Sequence, residues 1–125
     1  MIKCALFEFT RENGRGCISD ELRKNTGARA AFDTRARDLR NHGVGSVETR
    51  NFCPHIEQGI YKLKIRFKPQ LRPHLCKGPG DKEGEATFLV WATEENSQLD
   101  PPDVIDVAVA RRATVIDSPE RKKAI

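Results

Sequence analysis

Nine residues, Ile60 to Lys68, read IYKLKIRFK, and from Tyr61 onward apolar and cationic residues alternate without a break. A period of two suits an extended strand with one buried face, since a helix would scatter both classes around its surface. Tyr61, Leu63, Ile65 and Phe67 therefore belong to one face, and Lys62, Lys64, Arg66 and Lys68 to the other. Same-side residues on a strand stand roughly 7 Å apart. The cations thus form a row about commensurate with the phosphates of an extended nucleic-acid strand. The competing explanation is a half-buried strand whose outer face is lysine-rich for solubility or edge protection.

The row belongs to a segregated charge pattern. Between Asn51 and Lys77 six cations stand against Glu57, a local balance of +5, whereas from Gly78 to Val107 eight acids stand against Lys82, a balance of −7. The net charge of the whole chain is only +4, so distribution says more than total. With 125 residues, 38% hydrophobic and 32% charged, the chain can bury one core but hardly two. Residues 1–118 are expected as a single domain, with 119–125 as a mobile basic tail. No apolar run nears the roughly 20 residues of a membrane helix, and Met1 to Thr10 lacks the apolar stretch of a signal peptide, so a soluble cytoplasmic protein is expected. Cys4, Cys17, Cys53 and Cys76 are irregularly spaced, which favours reduced thiols over disulfides.

Residues 2–10 read as a first strand, closed by Asn13-Gly14 and Gly16. Ser19 is a suitable N-cap, with Asp20 and Glu21 in the first turn and Ile18 and Leu22 as a staple. Gly27 bends or breaks that helix, and Phe32, Ala36 and Leu39 mark a second one closed by Asn41 to Gly43. Arg29, Arg35, Arg37 and Arg40 lie on its outer face, where Asp33 and Asp38 can pair with them as a solvated surface. Val47 to Phe52 is a possible short strand, Gln58-Gly59 a turn, and Leu71 to Cys76 a strand after Pro69. Gly78 to Gly84 has hairpin-loop chemistry and lacks the Gly-Lys-Ser/Thr ending of a phosphate-binding loop. Ala86 to Thr93, ATFLVWAT, is a central strand buried on both faces, with Trp91 in the core. Pro101-Pro102-Asp103 opens a final helix that packs through Val104, Ile105, Ala108 and Val115. The architecture expected is α+β, an N-terminal strand and helical pair packed on a twisted antiparallel sheet with a C-terminal helix.

Several chemistries compete. Cys53 with His55 and His74 with Cys76 have a spacing that could place four zinc ligands together, but Pro54 and the lack of knuckle spacers argue against it. No local signature marks a nucleophilic Cys. Glu83 with Glu85, and Glu94 with Glu95, lie in the acidic stretch, where solubility explains them better than acid–base work. RNA cleavage needs less from the protein, because the 2′-hydroxyl is already in the substrate and cations can hold the phosphorane charge. Lys62, Lys64, Arg66 and Arg72 suit that task, with Tyr61, His74 and His55 as proton-transfer groups.

Arg37-Asp38-Leu39-Arg40-Asn41-His42-Gly43 ends a helix, and Gly59-Ile60-Tyr61-Lys62-Leu63-Lys64-Ile65 and Leu71-Arg72-Pro73 open strands. Phe88-Leu89-Val90-Trp91-Ala92 is apolar, and Pro101 to Arg112 closes the series. In that order and pattern the chain resembles the RelE/ParE superfamily of bacterial toxins, most closely the HigB-like and phage-derived RelE-like branch. The resemblance implies a RelE-like fold and a neutralising antitoxin as partner; no cofactor or metal is expected. The resemblance also implies endoribonuclease activity on messenger RNA at the ribosome. By position, Lys64 and Arg72 match the family's basic strand residues. With the strand cations and proton-transfer groups named above, catalysis is expected from Lys64, Arg72 and His74, and RNA binding from Lys62, Arg66, Lys68 and Tyr61. Thr93-Glu94-Glu95-Asn96 stands where that branch usually carries two lysines. A ParE-like toxin that blocks a protein such as DNA gyrase, and a non-catalytic nucleic-acid-binding module, are the alternatives.

Overall fold

The run ATFLVWAT supplies β6, Glu85–Val90, whose residues from Ala86 to Val90 are all buried. The computed structural model describes residues 3–78 and 84–125. Burial on both faces follows from the position of β6 inside a six-stranded sheet of order β2-β3-β5-β6-β1-β9. Its neighbours are β1 (Ala5–Phe9), parallel, and β5 (His74–Lys77), antiparallel. Beyond β5 come β3 (Ile60–Lys62) and β2 (His55–Glu57), joined through Gln58 and Gly59, both at positive φ as a tight hairpin demands. A second sheet of three short strands, β4 (Gln70–Leu71), β7 (Thr93–Glu95) and β8 (Gln98–Asp100), carries the order β4-β7-β8. The chain is α+β with mostly antiparallel pairing, the β1–β6 pair being parallel.

Helix α2, Thr26–His42, begins where the Asn25 side chain accepts the Ala28 N–H and ends at Gly43 with φ 83°. Its buried stripe is Ala28, Phe32, Ala36 and Leu39, and the Phe32 ring packs 5.2 Å from that of Phe88 in β6. Gly27 lies inside the first turn of α2, so it does not divide two long helices. The earlier helix, α1, is one turn, Ser19–Leu22. Ser19 does not cap it: its hydroxyl donates to Glu8, whose Oε1 accepts the Ile18 and Ser19 N–H groups at 2.9 and 2.8 Å. Glu8 is wholly buried, and a Cβ at Gly16 would overlap its carboxyl group. A carboxyl from a neighbouring strand thus meets the free N–H groups that a local cap would otherwise satisfy. The last helix, α3, Val104–Asp117, buries Val104, Ala108 and Val115 and packs on β3, β5 and β6. Among the described residues no helix is long and apolar enough to cross a membrane.

Four expectations change. Residues 47–52 form helical turns rather than a strand, with Arg50 and Cys53 N–H groups bonded four residues back. The Thr49 hydroxyl donates to the Gly43 carbonyl at 2.9 Å. Side-chain bonds of this kind compete with a sheet ladder. The expected strand from Leu71 to Cys76 divides at Arg72-Pro73. The Arg72 N–H reaches the Ala92 carbonyl, and Pro73, which has no N–H to give, accepts from Leu63. The ladder of β3 stops at Lys62, yet residues 62–65 stay extended: Lys62 and Lys64 donate to Pro54 and Phe52, Leu63 and Ile65 to Pro73 and Leu71. Residues 119–125, expected as a mobile tail, instead make a 3₁₀ turn at Pro119–Arg121 and β9, Lys122–Ala124, which pairs antiparallel with β1. The Gly78 to Gly84 loop lies largely outside the described residues.

Candidate nucleic-acid interface

The alternation of the basic segment survives beyond its regular ladder. Leu63 and Ile65 are buried, and Lys64, Arg66 and Lys68 are exposed. Lys64 and Arg66 overlook a cleft of about 500 Å³ between this segment, α2 and the small sheet. Arg72, at the crossing from β4 to β5, forms one wall, and Glu94 of β7 another. Arg35 of α2 closes a third side, its guanidinium 4.2 Å above the ring of Phe52. Asn51, Gln70, Asn96 and Ser97 complete the lining. Four cations therefore share the space with one carboxylate.

The geometry of Arg72 is closely determined. Its Nε donates to Glu94 Oε1 at 2.7 Å, and its Nη1 donates to the Leu71 carbonyl at 2.9 Å and to the Ile65 carbonyl at 3.4 Å. Gln70 and Glu94 are cross-strand partners in the β4–β7 register, which sets the carboxylate beside the arginine. The hydrogen bond from Arg72 is the largest influence and holds the Glu94 carboxyl below the ordinary carboxylate range; burial, next in size, opposes it, and the charges of Lys62, Arg72 and Lys64 add smaller pulls downward. A planar guanidinium fixed in this way presents its remaining N–H groups to a phosphate oxygen. The Phe52 ring has Arg35 over it, so that face is not open to a stacking base, and the cleft is suited to phosphates more than to base identity.

Of the residues the sequence pointed to, Lys64, Arg66 and Arg72 come together, and the rest stand apart from the cleft lining. Lys62 is half-buried opposite His74 in the β3–β5 register, and it acts on Glu94 only through its charge. Lys68 is exposed beyond the cleft. The Tyr61 ring packs edge-on to His55 at 5.2 Å, with Lys77 Nζ 5.9 Å from its centroid. His74 is fully buried. Its Nδ1–H donates to the Arg72 carbonyl at 2.7 Å, its Nε2 has no partner, and burial lowers its pKa to about 4. A neutral ring without access to the cleft positions the Arg72 backbone and cannot exchange a proton with a ligand there.

The zinc arrangement is not assembled. Cys53, Cys76 and His74 are buried and His55 is exposed, and among the described residues no three His, Cys, Asp or Glu side chains group as ligands. Burial pushes the Cys53 and Cys17 thiols up to about 12, which leaves them unreactive. Arg35, Phe52 and Glu94 are cleft residues that sequence reasoning passed over. Arg35 read as part of a solvated helix, with Asp38 3.6 Å away, and Glu94 as a solubility charge. The displacement of two lysines by Glu94-Glu95 was the one visible sign. No family model matches the chain, and no curated protein or solved structure matches it either.

Proposed function

We propose that the cleft binds a single RNA strand and cleaves it, and that the chain is the toxin of a toxin–antitoxin pair of the RelE kind, acting on messenger RNA at the ribosome. The observation that carries this reading is the Arg72–Glu94 pair, 2.7 Å apart, in a cleft that Lys64, Arg66 and Arg35 keep cationic. Further support comes from the RelE-like order of the basic strand, the Leu71-Arg72-Pro73 segment and the final helix.

Cleavage through the 2′-hydroxyl needs a base, a charge stabiliser and a proton for the leaving oxygen. Glu94 is the base: it takes the 2′-hydroxyl proton as that oxygen bonds to phosphorus. Arg72 and Arg66 hold the charge that develops on the phosphorane. Lys64 protonates the 5′-oxygen as its bond to phosphorus breaks, leaving a cyclic phosphate. A carboxylate held below its usual range is a weak base, so the rate comes chiefly from positioning and from the fixed guanidinium. An antitoxin would silence the chain by laying acidic side chains in the same cleft.

Induction of the wild type and of an Arg72→Ala, Lys64→Ala double variant in growing bacteria tests this, with message ends mapped alongside growth. New ends and arrest, both absent from the variant, are expected. Arrest with intact messages would transfer the chain to the class that blocks a protein target. With purified ribosomes, a 2′-deoxy substitution at the cleaved nucleotide should abolish the new end.

A further inference from the structure

Where β1 ends, two arginines far from it in sequence meet over one ring, and a third stands beside them. Arg121 donates through Nε and Nη2 to the Thr10 carbonyl at 3.1 and 2.9 Å, and Arg111 of α3 donates through Nη1 to the Leu89 carbonyl at 2.8 Å. Their guanidinium carbons lie 5.0 and 4.8 Å from the centroid of Phe9, which they help to bury. Arg11, bonded to Asp20, completes a pocket of about 470 Å³ with Glu12 and Asn13 on its rim.

Both anchors are neutral carbonyls. They fix Arg111 and Arg121 in place without cancelling either charge, and among the described residues neither forms an ion pair with a carboxylate. Like charges gathered at one half-buried pocket repel. Burial, and then the charges of Arg11 and Arg121, depress the proton affinity of Arg111, with Cys17 opposing them. The group nevertheless remains a cation. An oxyanion in the pocket removes the repulsion and meets the N–H groups that the Thr10 and Leu89 carbonyls leave free on two fixed guanidiniums, which can engage separate oxygens of a tetrahedral phosphate.

We propose that Arg11, Arg111 and Arg121 over Phe9 form a phosphate-binding site separate from the cleft. The phosphate is either free or part of a nucleic-acid strand. Both sites are tied to the same stretch of chain, since Arg111 bonds the Leu89 carbonyl and the Arg72 N–H bonds the Ala92 carbonyl. Phosphate recognition here does not depend on cleavage at the cleft.

The test is titration of the full chain with inorganic phosphate, and separately with an RNA hexamer, while the arginine Nε–H signals are followed by NMR. Saturable shifts of Arg111 and Arg121 are expected, with affinity about tenfold lower in Arg121→Gln and partly recovered in Arg121→Lys. Thermal unfolding of each variant confirms folding, and the wild-type titration alone decides the matter if Arg121→Gln does not fold. Shifts with the hexamer but not with inorganic phosphate, retained in an Arg72→Ala chain, assign the site to nucleic-acid phosphate. Failure of both ligands to move Arg111 and Arg121, or shifts confined to the cleft arginines Arg35, Arg66 and Arg72, would overturn the proposal and leave Arg111 and Arg121 as a clamp holding the 119–125 segment to β1. The RNA reading fails separately, through intact messages.

Discussion

Glu8 and Glu94 are both carboxyl side chains held by hydrogen bonds, yet they sit in opposite surroundings. Glu8 lies in the long inner strand β1, wholly buried, and its oxygens face two backbone N–H groups and a hydroxyl at the start of α1. Glu94 lies in the three-residue strand β7, partly exposed, and faces the side chain of Arg72 across a cleft open to solvent. The first ties the backbone of one segment to another. The second sits on a thin hairpin whose polar groups converge on open space, the usual setting of a binding site carried by a rigid scaffold. The same chemical group joins backbone segments where its partners are N–H groups of the core, and looks onto open space where its partner is a fixed side chain at a surface.

Removal of Glu8 should have the largest effect. Glu8→Ala leaves two buried N–H groups without an acceptor and is expected to cost about 4 kcal/mol, read by urea unfolding. RNA cleavage per folded molecule should be unaltered, and a loss under about 1 kcal/mol would break the contrast with Glu94. Next comes pH. His74 is neutral in the folded chain with a pKa of about 4, and in the unfolded chain it titrates near 6.5. The folded pKa is depressed, so its contribution is complete above pH 6.5 and declines as pH falls towards 4, by about 3 kcal/mol. Unfolding measured from pH 7 to 4 should show this slope, and His74→Gln should flatten it. Arg72→Ala should lower cleavage by about a hundredfold in single-turnover assays. Glu94→Gln should change stability by less than about 1 kcal/mol, as for other surface pairs, while cleavage falls; a larger stability loss would make Glu94 resemble Glu8.

The alternation of residues 61–68, the apolar run of β6 and the Phe32, Ala36, Leu39 stripe were all legible, because each rests on a local period that the backbone geometry enforces. The residues 47–52 and the division of the strand at Arg72-Pro73 were not. Both depend on where a hydroxyl or a missing N–H finds a partner, which composition does not encode. Of the site, Lys64, Arg66 and Arg72 were visible as charge on one face. His74 misled for a physical reason: histidine looks the same in sequence whether it faces solvent or, as here, lies sealed behind Arg72.

By itself the sequence determined an α+β chain, a buried and a cationic face for the central basic segment, and an apolar strand at the heart of the sheet. These are properties of neighbours two to four residues apart. Only the tertiary structure decided that Glu94 would meet Arg72 across 22 positions, and that Glu8 would cap a distant helix. It also brought the 119–125 segment back to β1, gathering Arg111 and Arg121 over Phe9. Contacts of that kind arise from strand order and register, which the packing of the whole core selects.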